Sequence, residues 1–411
     1  MDEQGQLTRR GFLRLGSAAV AAWSVSDLKG ADAPIEPQLR EAIAKLEYLT
    51  PLDRAFILDK GKAGVAKLPL EELREVGLTP DTWSLEVIAD PTSNSVVEHP
   101  LSGSNALGWQ DLMRLADKHS VRFLHVCNCT NGQDPFHMSL WEGVPLREVV
   151  SLTRPRENVR RIYYQSQHGV NLPPFQSSLA LSQVLEEPPG QMPVVLAYKM
   201  NDQLIPASRG GPVRVVVPGA YGSKSIKWVK RVVLTNDYKS NDSDAELNND
   251  PENPMKTRAR FINAPKEIPA GKPFVLTGWA QVGISGLKKV QYCVHPHKEA
   301  WPQDDPYRAR ANWRDAPILP PPADWGGGLP GGKLPPTNQT DPRTGLPVEW
   351  PLRFTIVHWA VWLPGLSAGS YDLGCRTIDS KGMAQPLPRT LPRTGFNTLH
   401  VVNLVVKTEA Y

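Results

Sequence analysis

The sequence predicts an α+β chain in two parts, with short helices and strands mixed in the first and an all-β sandwich of the immunoglobulin type in the second. Three observations predict it. Proline makes up 40 of 411 residues, roughly twice ordinary usage, which disfavours long helices and buried parallel sheets. Up to residue 235 helical spacing and period-two runs are mixed, whereas from Ala259 onward period-two runs dominate. Between them, residues 236–244 are polar and turn-prone, and Pro251 and Pro254 close the segment. A domain boundary is therefore expected near residue 252.

Each element follows from its local pattern. Arg9-Arg10 precede a mildly apolar, alanine-rich stretch, and Ala31-Asp32-Ala33 supplies a cleavage site. Residues 1–33 read as a twin-arginine export signal, which implies a periplasmic protein. Residues 37–48 and 70–76 have helical spacing, 83–88 a strand pattern, and 109–119 helix character. Residues 121–129 alternate as a strand and break at Thr130-Asn131-Gly132. Further strands are expected at 158–165, 193–200, 213–218 and 227–235, with a helix at 177–185. In the second part, 274–279, 290–294, 352–361, 371–378 and 399–406 read as strands, and the Pro/Gly-rich stretch 317–346 as a surface insertion. The expected division is 1–33, 34–252 and 253–411.

Charge and cysteine usage exclude several classes. Forty-six basic against 42 acidic residues leave a net +4, too even for a nucleic-acid binder. No apolar run approaches the roughly 18 residues of a membrane span. Cys127 and Cys129 are one residue apart, a spacing that strains a mutual disulfide. Cys293 and Cys375 sit in strand-like runs and read as buried thiols, with a bridge left open. No Cys-x-x-Cys-His occurs, so no c-type haem is expected on this chain.

The densest chemistry lies in 194–238. Arg214 stands on a strand, and Lys224 and Lys227 stand on loops rich in glycine and serine. Glycines let backbone N–H groups approach a ligand, and cations beside them neutralise an anion. A phosphate-bearing cofactor fits this pattern, as does a solvated basic edge.

Three runs, Leu196-Ala-Tyr-Lys-Met-Asn201, Gly211-Pro-Val-Arg-Val-Val-Val-Pro-Gly219 and Lys224-Ser-Ile-Lys-Trp228, resemble the molybdopterin-binding core of the sulfite oxidase family. Trp141-Glu-Gly-Val-Pro-Leu-Arg-Glu-Val149 is similar to that family's tryptophan-glycine helix start, and the C-terminal sandwich resembles its dimerisation domain. The resemblance implies a homodimer with one molybdenum–molybdopterin per chain, a single cysteine thiolate on the metal, and oxygen-atom transfer. Carried over, Arg214, Ser225, Ile226 and Lys227 hold the cofactor, Tyr238 is the active-site tyrosine, and Cys129 or Cys127 ligates molybdenum. Cys129 is preferred because it stands where the strand is expected to break into a loop.

The chain also departs from the pattern. Cys129-Thr-Asn-Gly-Gln133 stands where the family shows Cys-Ala-Gly-Asn-Arg-Arg, and Leu58-Asp59-Lys60 where it shows Arg-Asn-His. Arg209 replaces a pterin-contacting histidine, and a binding aspartate falls near residues 165–168. Fewer guanidinium groups remain to hold a small dianion such as sulfite. The expected activity is periplasmic oxygen-atom transfer on a small sulfur compound or oxyanion, with electrons passed to a separate cytochrome c. Alternatives are a non-catalytic scaffold that keeps the fold, and a molybdenum reductase of sulfoxides.

Overall fold

The structure, a computed structural model, describes residues 36–57, 64–169, 171–247, 249–322, 325, 329, 334, 340–387 and 394–408. The export segment 1–33, Leu58-Asp59-Lys60 and most of 323–339 lie outside the described residues.

Two sheets build the first part. One has the strand order Leu107–Gly108, Ser84–Ala89, Val229–Thr235, Arg161–Ser166, Phe175–Ala180, with a parallel pairing between Ser84–Ala89 and Val229–Thr235. The other runs Val121–Cys127, His137–Pro145, Val195–Met200, Gln203–Leu204, and Arg214–Val216 also pairs with Val195–Met200. The helix Trp109–His119 packs against the second sheet, where Leu112 and Ala116, four apart, are its buried residues. Asp111 accepts the Gly108 N–H at 3.0 Å and caps the helix start.

The second part is a β-sandwich. A three-stranded sheet, Arg258–Asn263, Phe274–Gln281 and Ile356–Leu363, faces a five-stranded one ordered Glu267–Pro269, His400–Lys407, Gly369–Ile378, Lys289–Pro296, Arg314–Ala316. Leu276, Val357 and Trp359 of the first and Val290, Leu373 and Leu404 of the second share one core. Cys375 is a free, buried thiol within it, and Cys293 a free, buried thiol on the other face of the five-stranded sheet.

Val121–Cys127 positions the site, and it does not alternate between buried and exposed as the sequence suggests. From Phe123 to Cys127 every residue is buried, because both faces are covered. Phe123 packs with Trp141, Val195 and Val216, whereas Leu124 and Val126 pack with Trp279 and Ile356 of the sandwich.

Two further expectations are corrected. Residues 177–185 are not one helix: Phe175–Ala180 is a strand paired with Arg161–Ser166, and only Leu181–Leu185 is helical. The Ser177 and Ser178 hydroxyls bind Asp242 there, so tertiary contacts override the local pattern. Trp141 does not open a helix either, because His137–Pro145 is a strand and the helix Leu146–Leu152 starts only after Pro145.

Candidate active site

The tight segment after Gly210 brings the cations together. Gly210 has φ +98°, and a Cβ there would stand 2.5 Å from the Lys227 Cβ, so only glycine lets the lysine stem lie this close. Arg214 is 1% exposed. Its Nη1 donates to the Arg209 carbonyl at 3.0 Å and its Nη2 to the Ser225 carbonyl at 2.9 Å, and its guanidinium lies over the Trp141 ring at 5.0 Å. Arg209 is buried, donating to the Leu52 and Asp53 carbonyls. Lys227 Nζ reaches the Phe56 carbonyl at 3.3 Å and lies over the Phe56 and Trp228 rings. Ser225 Oγ accepts the Val217 N–H at 2.9 Å, and Ile226 sits in the core. These two shape the segment from inside.

Burial and mutual repulsion both disfavour the charged forms in this cluster. Burial, then the neighbouring Arg214, pushes Lys227 down to about 7. Burial lowers Arg214 and Arg209 as well. Arg214 Nε and Arg209 Nη1 are buried with no hydrogen-bond partner among the described residues. Buried, unpaired guanidinium nitrogens beside a lysine whose charge burial disfavours fit the anionic end of a phosphate-bearing cofactor.

The two cysteines separate clearly. The strand ends at Cys127, not at Cys129, so the strand-end criterion selects Cys127. The charges of Arg214 and Lys227 pull its thiol down; burial, the largest influence, still leaves it above the usual thiol range. Cys129 lies in the following turn and is half-buried. His137 is the cross-strand partner of Cys127. It is buried, held neutral by desolvation and then by Arg214 and Lys227, and bonded to Ser139 Oγ through Nδ1 at 3.1 Å. His125 faces the same cluster, lowered to about 3 by burial and then by Arg214. Sequence reasoning missed His137, for which only the cross-strand register carries a signal.

Other expected residues stand elsewhere. Lys224 leaves the anion cluster and forms a buried ion pair with Asp242 at 2.7 Å. His168 Nδ1 accepts the Phe175 N–H at 3.1 Å. Tyr238 is 75% exposed, on the loop that Asp242 anchors.

Residues 73–242 match the model of the oxidoreductase molybdopterin binding domain. The stretch contains Cys127, Arg209, Arg214, Lys227 and Tyr238 and ends on Asp242. That stretch of the chain is a molybdopterin-binding oxidoreductase domain, and the proteins similar to it include members of the sulfite oxidase family. Mitochondrial sulfite oxidase of Drosophila melanogaster is 32% identical over 110 residues, 26% of this chain and 18% of that protein. The NADPH nitrate reductase of Fusarium oxysporum is 30% identical over 103 residues, 25% of this chain and 11% of that one. The chain thus spans a minor part of the length of the curated relatives it matches. Across the whole fold it is similar to the sulfane dehydrogenase SoxCD from Paracoccus pantotrophus, with a TM-score of 0.60 at 18% identity over 89% of this chain and 86% of that one. The chain shares that fold, a molybdopterin-binding domain followed by a β-sandwich.

Proposed function

We propose that the protein is a periplasmic molybdenum enzyme. It moves an oxygen atom to or from a small sulfur compound or oxyanion and hands the electrons to a separate cytochrome c. The observation that carries this reading is the buried cluster of Arg209, Arg214 and Lys227 with its unpaired guanidinium nitrogens, set beside the Cys127 thiol. When bound, the molybdenum–molybdopterin supplies the redox and oxygen-transfer chemistry.

The chain's own residues bind and orient. Arg209, Arg214 and Lys227 hold the anionic end of the cofactor, and the segment through Ser225 and Ile226 keeps that cradle rigid. The thiolate offered to the metal comes from the Cys127–Cys129 pair. Cys127 is assigned because it stands at the strand end with Arg214 and Lys227 near enough to offset part of the burial that holds its thiol up. Tyr238, exposed, offers its hydroxyl to a substrate arriving from solvent.

Two of the similar proteins named above act by name on sulfite or sulfane, which supports a sulfur substrate. In this reading the electron carrier is a separate protein. The twin arginines support export, and the sandwich supports a closed two-fold homodimer.

The test is metal analysis of the exported protein together with assays in both directions on sulfite, thiosulfate, nitrate and sulfoxides with an artificial electron carrier. Stoichiometric molybdenum and turnover of one of these are expected. A folded, exported protein without molybdenum refutes the reading. Replacing Arg9 and Arg10 by lysine should hold the precursor in the cytoplasm, because a receptor reads the pair rather than its charge. Unchanged periplasmic yield refutes the location.

A further inference from the structure

The loop that carries the cysteines is held from its far side by the C-terminal sandwich. Neighbouring strands pair Arg258 directly with Gln281, so the two side chains reach the loop together, and both residues are fully buried. Gln281 Nε2 donates to the Lys256 carbonyl at 2.7 Å, which fixes the amide with Oε1 presented to the loop. Asn128 Nδ2 donates to that Oε1, also at 2.7 Å. Arg258 Nη1 donates to the carbonyls of Gly132 and Phe396, and Arg260 Nε reaches Asp134 Oδ1 at 3.1 Å.

Asn128 stands between Cys127 and Cys129 and is 0% exposed. Its carbonyl accepts the Gly222 N–H at 2.7 Å, at the start of the loop that leads to Ser225 and Lys227. One residue therefore joins three parts: the sandwich through its side chain, the cofactor cradle through its carbonyl, and both cysteines through the chain. A buried amide pair of this kind is costly to break from one side, because the group left behind has lost water as well as its partner.

We propose that Gln281 is a positioning residue for the site. Through Asn128 it sets the backbone between the two cysteines against Gly222, and so fixes where the Cys127 thiol stands relative to Arg214. Its importance for turnover rests on the molybdenum reading above; its effect on the thiol does not.

The test reads the thiols themselves in the full-length protein, by mass-resolved alkylation of all four cysteines with iodoacetamide, both as purified and after removal of bound molybdenum. Gln281→Met keeps the volume and removes the acceptor. It should raise the alkylation rates of Cys127 and Cys129 by about tenfold or more in the molybdenum-free form, as expected for a local opening of about 1.4 kcal/mol. Cys293 and Cys375, both buried in the sandwich domain, should stay as slow as in the wild type. Unchanged rates at Cys127 and Cys129 in the Met variant, or an equal rise at all four cysteines, overturn the proposal. If the wild-type protein holds no molybdenum, the cofactor reading fails while the contrast among the four thiols still decides this one.

Discussion

Lys224→Met tests the buried ion pair that ties the Tyr238 loop to the cofactor cradle. Lys224 Nζ donates to Asp242 Oδ1 at 2.7 Å and to the Ser178 carbonyl at 2.6 Å, and the two side chains are 2% and 4% exposed. Burial favours the neutral form of both. For Asp242 the pull of Lys224 and of the Ser177 and Ser240 hydroxyls overcomes it, and the carboxyl stays below its usual range. Removing one partner of such a pair costs about 3–5 kcal/mol, since a charge is left buried and uncompensated. Here Ser177 at 2.5 Å and Ser178 at 2.8 Å still donate to the carboxylate, which places the cost near the lower end, about 3 kcal/mol. For a cooperative unit of 150–250 residues that is a fall in Tm of roughly 6–12 °C.

The assay is urea unfolding at pH 7 of the wild type, Lys224→Met, Asp242→Asn and the double variant. The double variant should lose less than the sum of the singles by about 2 kcal/mol, because each single change strands the other group. The pH sign follows from Asp242. Its depressed folded pKa gives stability that is present above its usual value near 3.8 and is lost as pH falls through the folded pKa. The gap between wild type and Lys224→Met therefore narrows below about pH 4. A loss under about 1 kcal/mol at pH 7, or strictly additive singles, would refute the reasoning.

Three other outcomes are expected. Cys127→Ser should remove activity and alter the metal's electronic spectrum while Cys129→Ser keeps both; the reverse pattern would move the ligand to Cys129. Tyr238→Phe should change stability by less than about 0.5 kcal/mol, since the ring is exposed, yet slow turnover roughly 10- to 1,000-fold with molybdenum content intact; loss of the cofactor would mean that the residue is misassigned. His358, lowered to about 4 by burial alone, binds its proton more weakly folded than unfolded. It should therefore weaken the fold by about 2 kcal/mol between pH 7 and pH 5, and His358→Phe should take that share out of the slope and leave the shares of His125, His137 and His400; an identical slope in the variant counts against it.

The fold was legible where local pattern and tertiary role agree. The helix Trp109–His119 and the strands Gly369–Ile378 and His400–Lys407 follow from spacing alone, because one face of each looks into a core. It was illegible where a distant partner decides. Ser177 and Ser178 join a strand to meet Asp242, and Val121–Cys127 is buried on both faces because the sandwich covers one of them. In the site, Arg214 and Lys227 were readable from glycine-rich loops beside cations. Lys224 was not, since its counter-charge lies 18 residues on, and no short-range pattern announces that Asn128 meets Gln281, 153 residues away.

The strand Val229–Thr235 lies in the middle of its sheet, although it is the last of the five to leave the ribosome. Until it is made, the chain holds two separate hairpin-like pieces, one around Ser84–Ala89 and one around Arg161–Ser166, each with a long edge open to any passing strand. The closing pairing spans about 145 residues of sequence, from Glu86 to Arg231, and non-local pairing of that kind is slow to find. Ribosome stalling before residue 229 should therefore yield an aggregation-prone intermediate that a chaperone must shield. The cradle from Gly210 to Lys227 is synthesised just ahead of the closing strand, so a cofactor would meet a complete pocket only after this sheet has shut.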